Sequence, residues 1–147
     1  MEKQTAKMFL KRIRQEQKEI RLLMEHRAAM RFSLYGGAIR YDSDKVQISA
    51  DDAFSRRLAE ICDMDDVIVA HVAELDKCIA KAMSIVRCID DPSERMILET
   101  YYLSVKRTGE LYKWHDVARI VGYSEKYVLR KLHPAALRDF EKRMDCA

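Results

Sequence analysis

Between Phe54 and Ile89 the chain places a seam residue every three or four positions without a break. Phe54, Leu58, Ile61, Asp65, Ile68, Val72, Leu75, Ile79, Ala82, Val86 and Ile89 step by four and three in turn, and only Asp65 is polar. This is heptad spacing, which puts one narrow apolar seam along a helix. A helix over residues 53–89 is roughly 55 Å long at 1.5 Å per residue. So narrow a stripe needs another helix to cover it. Residues 3–31 supply the pattern for one: Ala6, Phe9, Ile13, Ile20, Leu23 and Met30, with Glu16 and Arg27 as polar interruptions. No Gly or Pro intervenes until Gly36-Gly37, which stops the pattern. Residues 32–52 read as a connector. In it Val46-Gln47-Ile48 suggests a short extended piece, and Ser49 with Asp52 suggests a capping box for the helix that follows. A connector of this length lets the first helix fold back antiparallel on the second.

Charge favours that pairing. Residues 1–31 hold nine Lys/Arg against four Asp/Glu, residues 32–91 seven against twelve, and residues 92–147 eleven against eight. The chain is therefore basic, then acidic, then basic. Basic segments either bind nucleic acid or pair with the acidic middle. For Lys3, Lys7, Lys11, Arg12, Arg14 and Lys18 the expected role is a solvated face paired with the acidic helix rather than a second DNA-binding arm. Glu16, Arg27 and Asp65 interrupt the seams and are expected to set register or leave room for another chain. The seam outruns the first helix, so a second copy of the chain is a candidate partner.

Other classes are excluded or disfavoured. Four glycines and two prolines among 147 residues favour long helices over sheets. No run of about 18 apolar residues suggests a membrane span, and the start of the chain lacks the apolar core of a signal peptide. A cytoplasmic location is expected. Cys62, Cys78, Cys88 and Cys146 form no CxxC pair and read as free thiols. The four histidines are scattered. Asp63, Asp65 and Asp66 spread around a helix rather than converge on a metal. No phosphate loop, nucleophile elbow or zinc signature is present, so neither an enzyme nor a cofactor is expected.

The last third carries the informative motif. Asp91 is a good N-cap, Pro92 suits the first helical position and Glu94 closes a box-like arrangement. Ile97, Leu98, Tyr101 and Tyr102 give the helix an apolar face, and Val105–Lys113 reads as a loop. Trp114 to Lys131 then matches the needs of a helix-turn-helix. Ala118 is the small residue that lets the helices approach, and Gly122 four later supplies a left-handed turn. Val117, Val121 and Val128 line the inside, and Ser124 caps the second helix. Its outward residues would be Glu125, Lys126, Leu129 and Arg130, which suit base edges in a major groove. Lys113, Arg119, Tyr123, Ser124 and Lys131 are candidate phosphate contacts, with Tyr123 equally able to cover the turn. Trp114, Tyr101, Tyr102 and Tyr127 are expected in the core. A plain helical hairpin with a glycine turn would share part of this pattern.

The pattern D-P-x-E-R-x-I-L, a tyrosine-containing helix, a loop and W-x-x-V-A-x-x-x-G-Y-S-E-x-x-V resembles the fourth region of bacterial sigma factors. Over residues 89–143 it resembles more closely the ArpU/RinA-like late regulators of phages and prophages, which join a coiled-coil hairpin to such a module. The run from Tyr41 to Ser49 between two helices is similar in architecture. The resemblance implies control of phage transcription in a bacterial host by binding double-stranded promoter DNA, with RNA polymerase as a possible partner. One departure stands out. From Val128 to Leu137 the chain carries one residue more than the family pattern, with Lys131 where an apolar residue belongs. Pro134 predicts that the recognition helix kinks or ends near Leu132. Expected, then, is an all-α chain: an antiparallel helical hairpin over 1–89 and a sigma region 4-like domain over 90–147. Two other uses stay open, a DNA-packaging or architectural protein and an interaction module that never touches DNA.

Overall fold

The computed structural model describes residues 5–35 and 47–146. Every regular element among them is helical, in the order α1 (Ala6–Tyr35), α2 (Gln47–Val86), α3 (Pro92–Leu98), α4 (Trp114–Val121), α5 (Glu125–Tyr127) and α6 (His133–Cys146). A π-helical turn, Glu99–Leu103, extends α3, and another, Val128–Leu132, joins α5 to α6. The chain is thus all-α over the described residues, with one isolated antiparallel bridge between Val105 and Leu111. None of the described helices is long and apolar enough to cross a membrane.

Both long helices overrun the boundaries that the pattern predicts. α1 continues through Phe32–Tyr35, and α2 starts at Gln47. No Gly or Pro stands in either extension, and helix needs no apolar stripe to propagate. Gln47 and Ile48 are therefore helical rather than extended, and Ser49 and Asp52 lie inside α2 rather than at its cap. Gly36, Gly37 and Val46 lie outside the described residues, as does most of the Tyr41–Ser49 run. At its other end α2 stops at Val86. Ile89, placed in the helical seam by its spacing, follows a turn yet stays 1% exposed.

The chain divides into two compact units, Met1–Lys18 with Glu74–Ala147, and Glu19–Ala73. In the second unit Ile20, Ile61 and Ile68 are buried, while Phe54 and Leu58 remain substantially exposed. Two of the three polar seam residues meet there: Arg27 Nη1 lies 2.9 Å from Asp65 Oδ1, and Arg31 Nη2 3.2 Å from Asp65 Oδ2. These charged residues of the two seams thus satisfy each other at partly exposed positions.

The first unit holds the larger core. Ala6, Phe9, Leu10 and Ile13 of α1 and Ala82, Ile85 and Val86 of α2 pack with Leu98, Tyr102, Leu103, Ala136 and Phe140. A second cluster of Ile97, Val117, Ala118, Val128 and Leu132 lies beneath α4 and α5. Asp91 caps α3 as its sequence predicts, accepting from the Ser93 amide at 2.8 Å. Glu94 does not complete a box with it. Its side chain is buried beside the Asp139 carboxyl of α6, and Glu94 Oε2 has no hydrogen-bond partner among the described residues. Burial first, and then the neighbouring Asp139 carboxylate, push the Glu94 carboxyl up to about 7.

Of the kink or end predicted near Leu132, the end is not observed, and a π turn stands there instead. Val128 and His133 both keep right-handed helical dihedrals, and the His133 amide donates to the Val128 carbonyl five residues back. A π turn holds one residue more than an α turn. Val128, Leu132, Ala136 and Phe140 are all buried, at successive steps of four. In a regular α-helix those three steps would drift about 120° around the axis, and one inserted residue takes up about 100° of it. The shifted ladder also precedes Pro134, so the proline joins the helix without ending it.

Candidate nucleic-acid interface

α4 starts after Lys113, whose amide donates to Asp116 Oδ2 at 3.0 Å. Asp116 also lies 2.9 Å from Lys106 Nζ. The Lys106 ammonium and the Lys113 amide together hold the Asp116 carboxyl below its ordinary range. α4 ends where its sequence demands. Gly122 has φ of +79°, and the amides of Gly122 and Tyr123 both donate to the Ala118 carbonyl. Ser124 then caps α5 by accepting from the Tyr127 amide at 3.2 Å. Val117 and Val128 are fully buried, Ala118 is nearly so, and Val121 packs against the same cluster. The helix–glycine turn–helix geometry therefore follows from the residues that predict it.

The candidate base-reading residues Glu125, Lys126, Leu129 and Arg130 are all exposed. Glu125 and Leu129 are four apart, and Lys126 lies three and four before Leu129 and Arg130, so the set shares one face. Lys131 follows on the exposed side of the π turn, and Lys113, Arg119, Tyr123 and Ser124 are exposed as well. Arg119 Nη2 lies 3.2 Å from His115 Nε2 on α4. Asp116, three residues after Lys113, carries an acidic charge that Lys106 compensates.

Tyr127 corrects the expectation of a core aromatic. It is 43% exposed and lies beside the 47% exposed Tyr123, with ring centroids 5.1 Å apart. Its residue type suggests burial, but its helical phase is about 100° from that of buried Val128. Phase was the available signal, and it prevails. Ile120, 49% exposed on α4, adds an apolar side chain that the motif does not foretell.

The other aromatics build the support. The rings of Tyr101 and Trp114 stack with centroids 3.8 Å apart, and Trp114 meets His133 edge-on at 4.5 Å. Tyr102 is buried and its hydroxyl lies 2.7 Å from His133 Nε2. Burial, reinforced by the Lys7 charge, lowers His133 to about 4, and burial raises the Tyr102 hydroxyl. The bond therefore joins a neutral hydroxyl to a neutral imidazole.

Arg14 departs from the solvated face expected of it. Its guanidinium donates to the Tyr101 carbonyl at 2.5 Å and to the Tyr112 carbonyl at 2.7 Å, and lies 3.9 Å from the centre of the Tyr101 ring. It thus ties α1 to both ends of the loop before α4. Sequence spacing gives no hint of a partner so distant along the chain.

Among the described residues no group of His, Cys, Asp or Glu could hold a metal ion. No family model, curated protein or solved structure matches the chain.

Proposed function

We propose that the protein is a sequence-specific DNA-binding regulator of transcription of the phage type, built on a sigma region 4-like helix-turn-helix. One observation carries the reading. A capped helix follows a left-handed glycine turn, buries Val128 and Leu132 inward, and leaves Glu125, Lys126, Leu129 and Arg130 exposed together. Such a helix can lie in a major groove with its N-terminal residues at the base edges. Lys and Arg then match guanine edges, Glu matches the cytosine amino group and Leu129 the thymine methyl. Lys113, Arg119, Tyr123, Ser124 and Lys131 flank this face as backbone contacts.

In this reading α1 and α2 form the antiparallel hairpin that their seams predict. The hairpin offers surface to a second copy or to RNA polymerase. The protein acts in the bacterial cytoplasm, where promoter DNA lies.

The test is binding of the purified chain to duplexes selected from a genomic pool. Arg130→Ala is expected to cost about 1–3 kcal/mol of discrimination at one base pair, with little loss on unrelated DNA. Unchanged binding by the combined Lys126→Ala and Arg130→Ala variant would refute the assignment.

A further inference from the structure

Among the described residues, the lysines on one side of α1 lack the acidic partners that the sequence predicts. Lys7, Lys11, Arg14 and Lys18 follow at steps of four, three and four, which lines them along one side of the helix. Arg14 is taken up by the carbonyls of Tyr101 and Tyr112. Lys7, Lys11 and Lys18 are exposed, and none of them enters an ion pair among the described residues. Asp65 of α2 does meet α1, where it pairs with Arg27 and Arg31.

The position of this stripe is also set. Arg14 holds α1 to the carbonyl of Tyr112, the residue before Lys113. Near the start of α1, Phe9 stacks against Phe140 of α6 with centroids 6.3 Å apart, and the Lys7 charge is felt at His133, two residues after Lys131. The lysines therefore border the same parts of the first unit that carry Lys113 and Lys131.

We propose that Lys7, Lys11 and Lys18 form a second contact with the sugar-phosphate backbone of duplex DNA, beyond the base pairs read by α5. The inference rests on the DNA-binding reading above. Lysine suits the role, being a flexible point charge that needs no fixed geometry at a phosphate. From Lys7 to Lys18 the helix rises about 16 Å, which spans about five base pairs at 3.4 Å each. The face would lengthen the footprint by about that much and add affinity without sequence preference.

The experiment uses the full chain and a selected duplex, long enough to extend a full turn past the core site on both sides. Binding is followed by fluorescence anisotropy from 50 to 300 mM salt, a range chosen on the order of that over which phosphate contacts dominate. The combined Lys7→Gln, Lys11→Gln and Lys18→Gln variant should flatten the slope of log K against log salt by about 2 to 3, at ~0.9 per phosphate lost. It should also shorten the footprint by about five base pairs and keep the same base preferences. Glutamine preserves helix propensity, and an unchanged melting temperature confirms the fold. If the wild-type chain binds with sequence preference and the triple variant keeps its slope and footprint, the stripe is not a DNA contact and the reading of α5 stands. If the wild-type chain binds no duplex, the DNA-binding reading itself is lost and the stripe with it.

Discussion

The Tyr102 hydroxyl and His133 Nε2 share a hydrogen bond of 2.7 Å, joining the π turn after α3 to the first residue of α6. His133 in turn meets the edge of Trp114, which stacks on Tyr101 beneath the guanidinium of Arg14. A continuous set of contacts thus runs from α1 to the start of α4 and the end of the π turn that carries Arg130. Side chains on that turn are aimed by this support.

Two buried groups give the first unit opposing pH dependence. His133 is lowered from 6.5 to about 4, so the unfolded chain binds more protons between those values and stability falls as pH drops from 6.5 toward 4. Glu94 is raised from 4.5 to about 7, so the folded chain binds more protons and stability falls as pH rises from 4.5 through about 7. In the shared interval the slopes offset each other. Thermal melting of the wild-type chain should vary little between about pH 5 and 6 and fall toward pH 8. Glu94→Gln should abolish the fall and stabilise the chain at pH 8 by on the order of 2 kcal/mol. A profile for Glu94→Gln that still declines above pH 6 would show that another group is responsible.

Arg14→Ala should destabilise the first unit by about 2–3 kcal/mol, because it removes charge-assisted bonds to two carbonyls. Arg14→Lys should recover only part of this, since one ammonium cannot fork between Tyr101 and Tyr112 as a guanidinium does. Denaturant melts give the energies. Tryptophan fluorescence adds a local readout, because Trp114 stacks on the ring over which Arg14 lies.

How much of this is legible in the sequence depends on how far apart the determinants lie. Ala118, Gly122, Ser124 and Val128 specify their turn from within one short stretch, so spacing alone finds it. The seam residues Arg27 and Asp65 are visible as interruptions, and the structure pairs them with each other. The Arg14 fork joins residues 87 and 98 positions apart, and a cation on a helix looks the same whether it meets water or a carbonyl. Glu94 reads locally as a capping residue, yet Asp139 on a later helix determines its environment. Pro134 predicts a break because proline rules assume an α-helix, and the π turn ahead of it changes which carbonyls are bonded.

Gly122 tests the turn itself. A Cβ there would meet nothing within 4 Å, so only its φ of +79° opposes a side chain. Gly122→Ala should cost about 1–2 kcal/mol from backbone strain alone, and Gly122→Asn less, since asparagine tolerates the left-handed region. A larger loss for both variants, measured by denaturant melts, would mean that the glycine serves close packing instead.

The π turn makes the sharpest prediction, because its two unusual features should compensate each other. Deleting Lys131 would remove the extra residue and convert Val128–Leu132 to regular α-helix. Pro134 would then face the full cost of a proline in a helix interior, about 3 kcal/mol. Pro134→Ala alone should be nearly neutral, since the ladder already skips to the Val128 carbonyl before the proline. Combining the deletion with Pro134→Ala should restore most of the stability lost by the deletion. The buried spacing would become three, four and four, which suits an α-helix. Additive effects in this double-mutant cycle would show that the proline is tolerated for a reason other than the π turn.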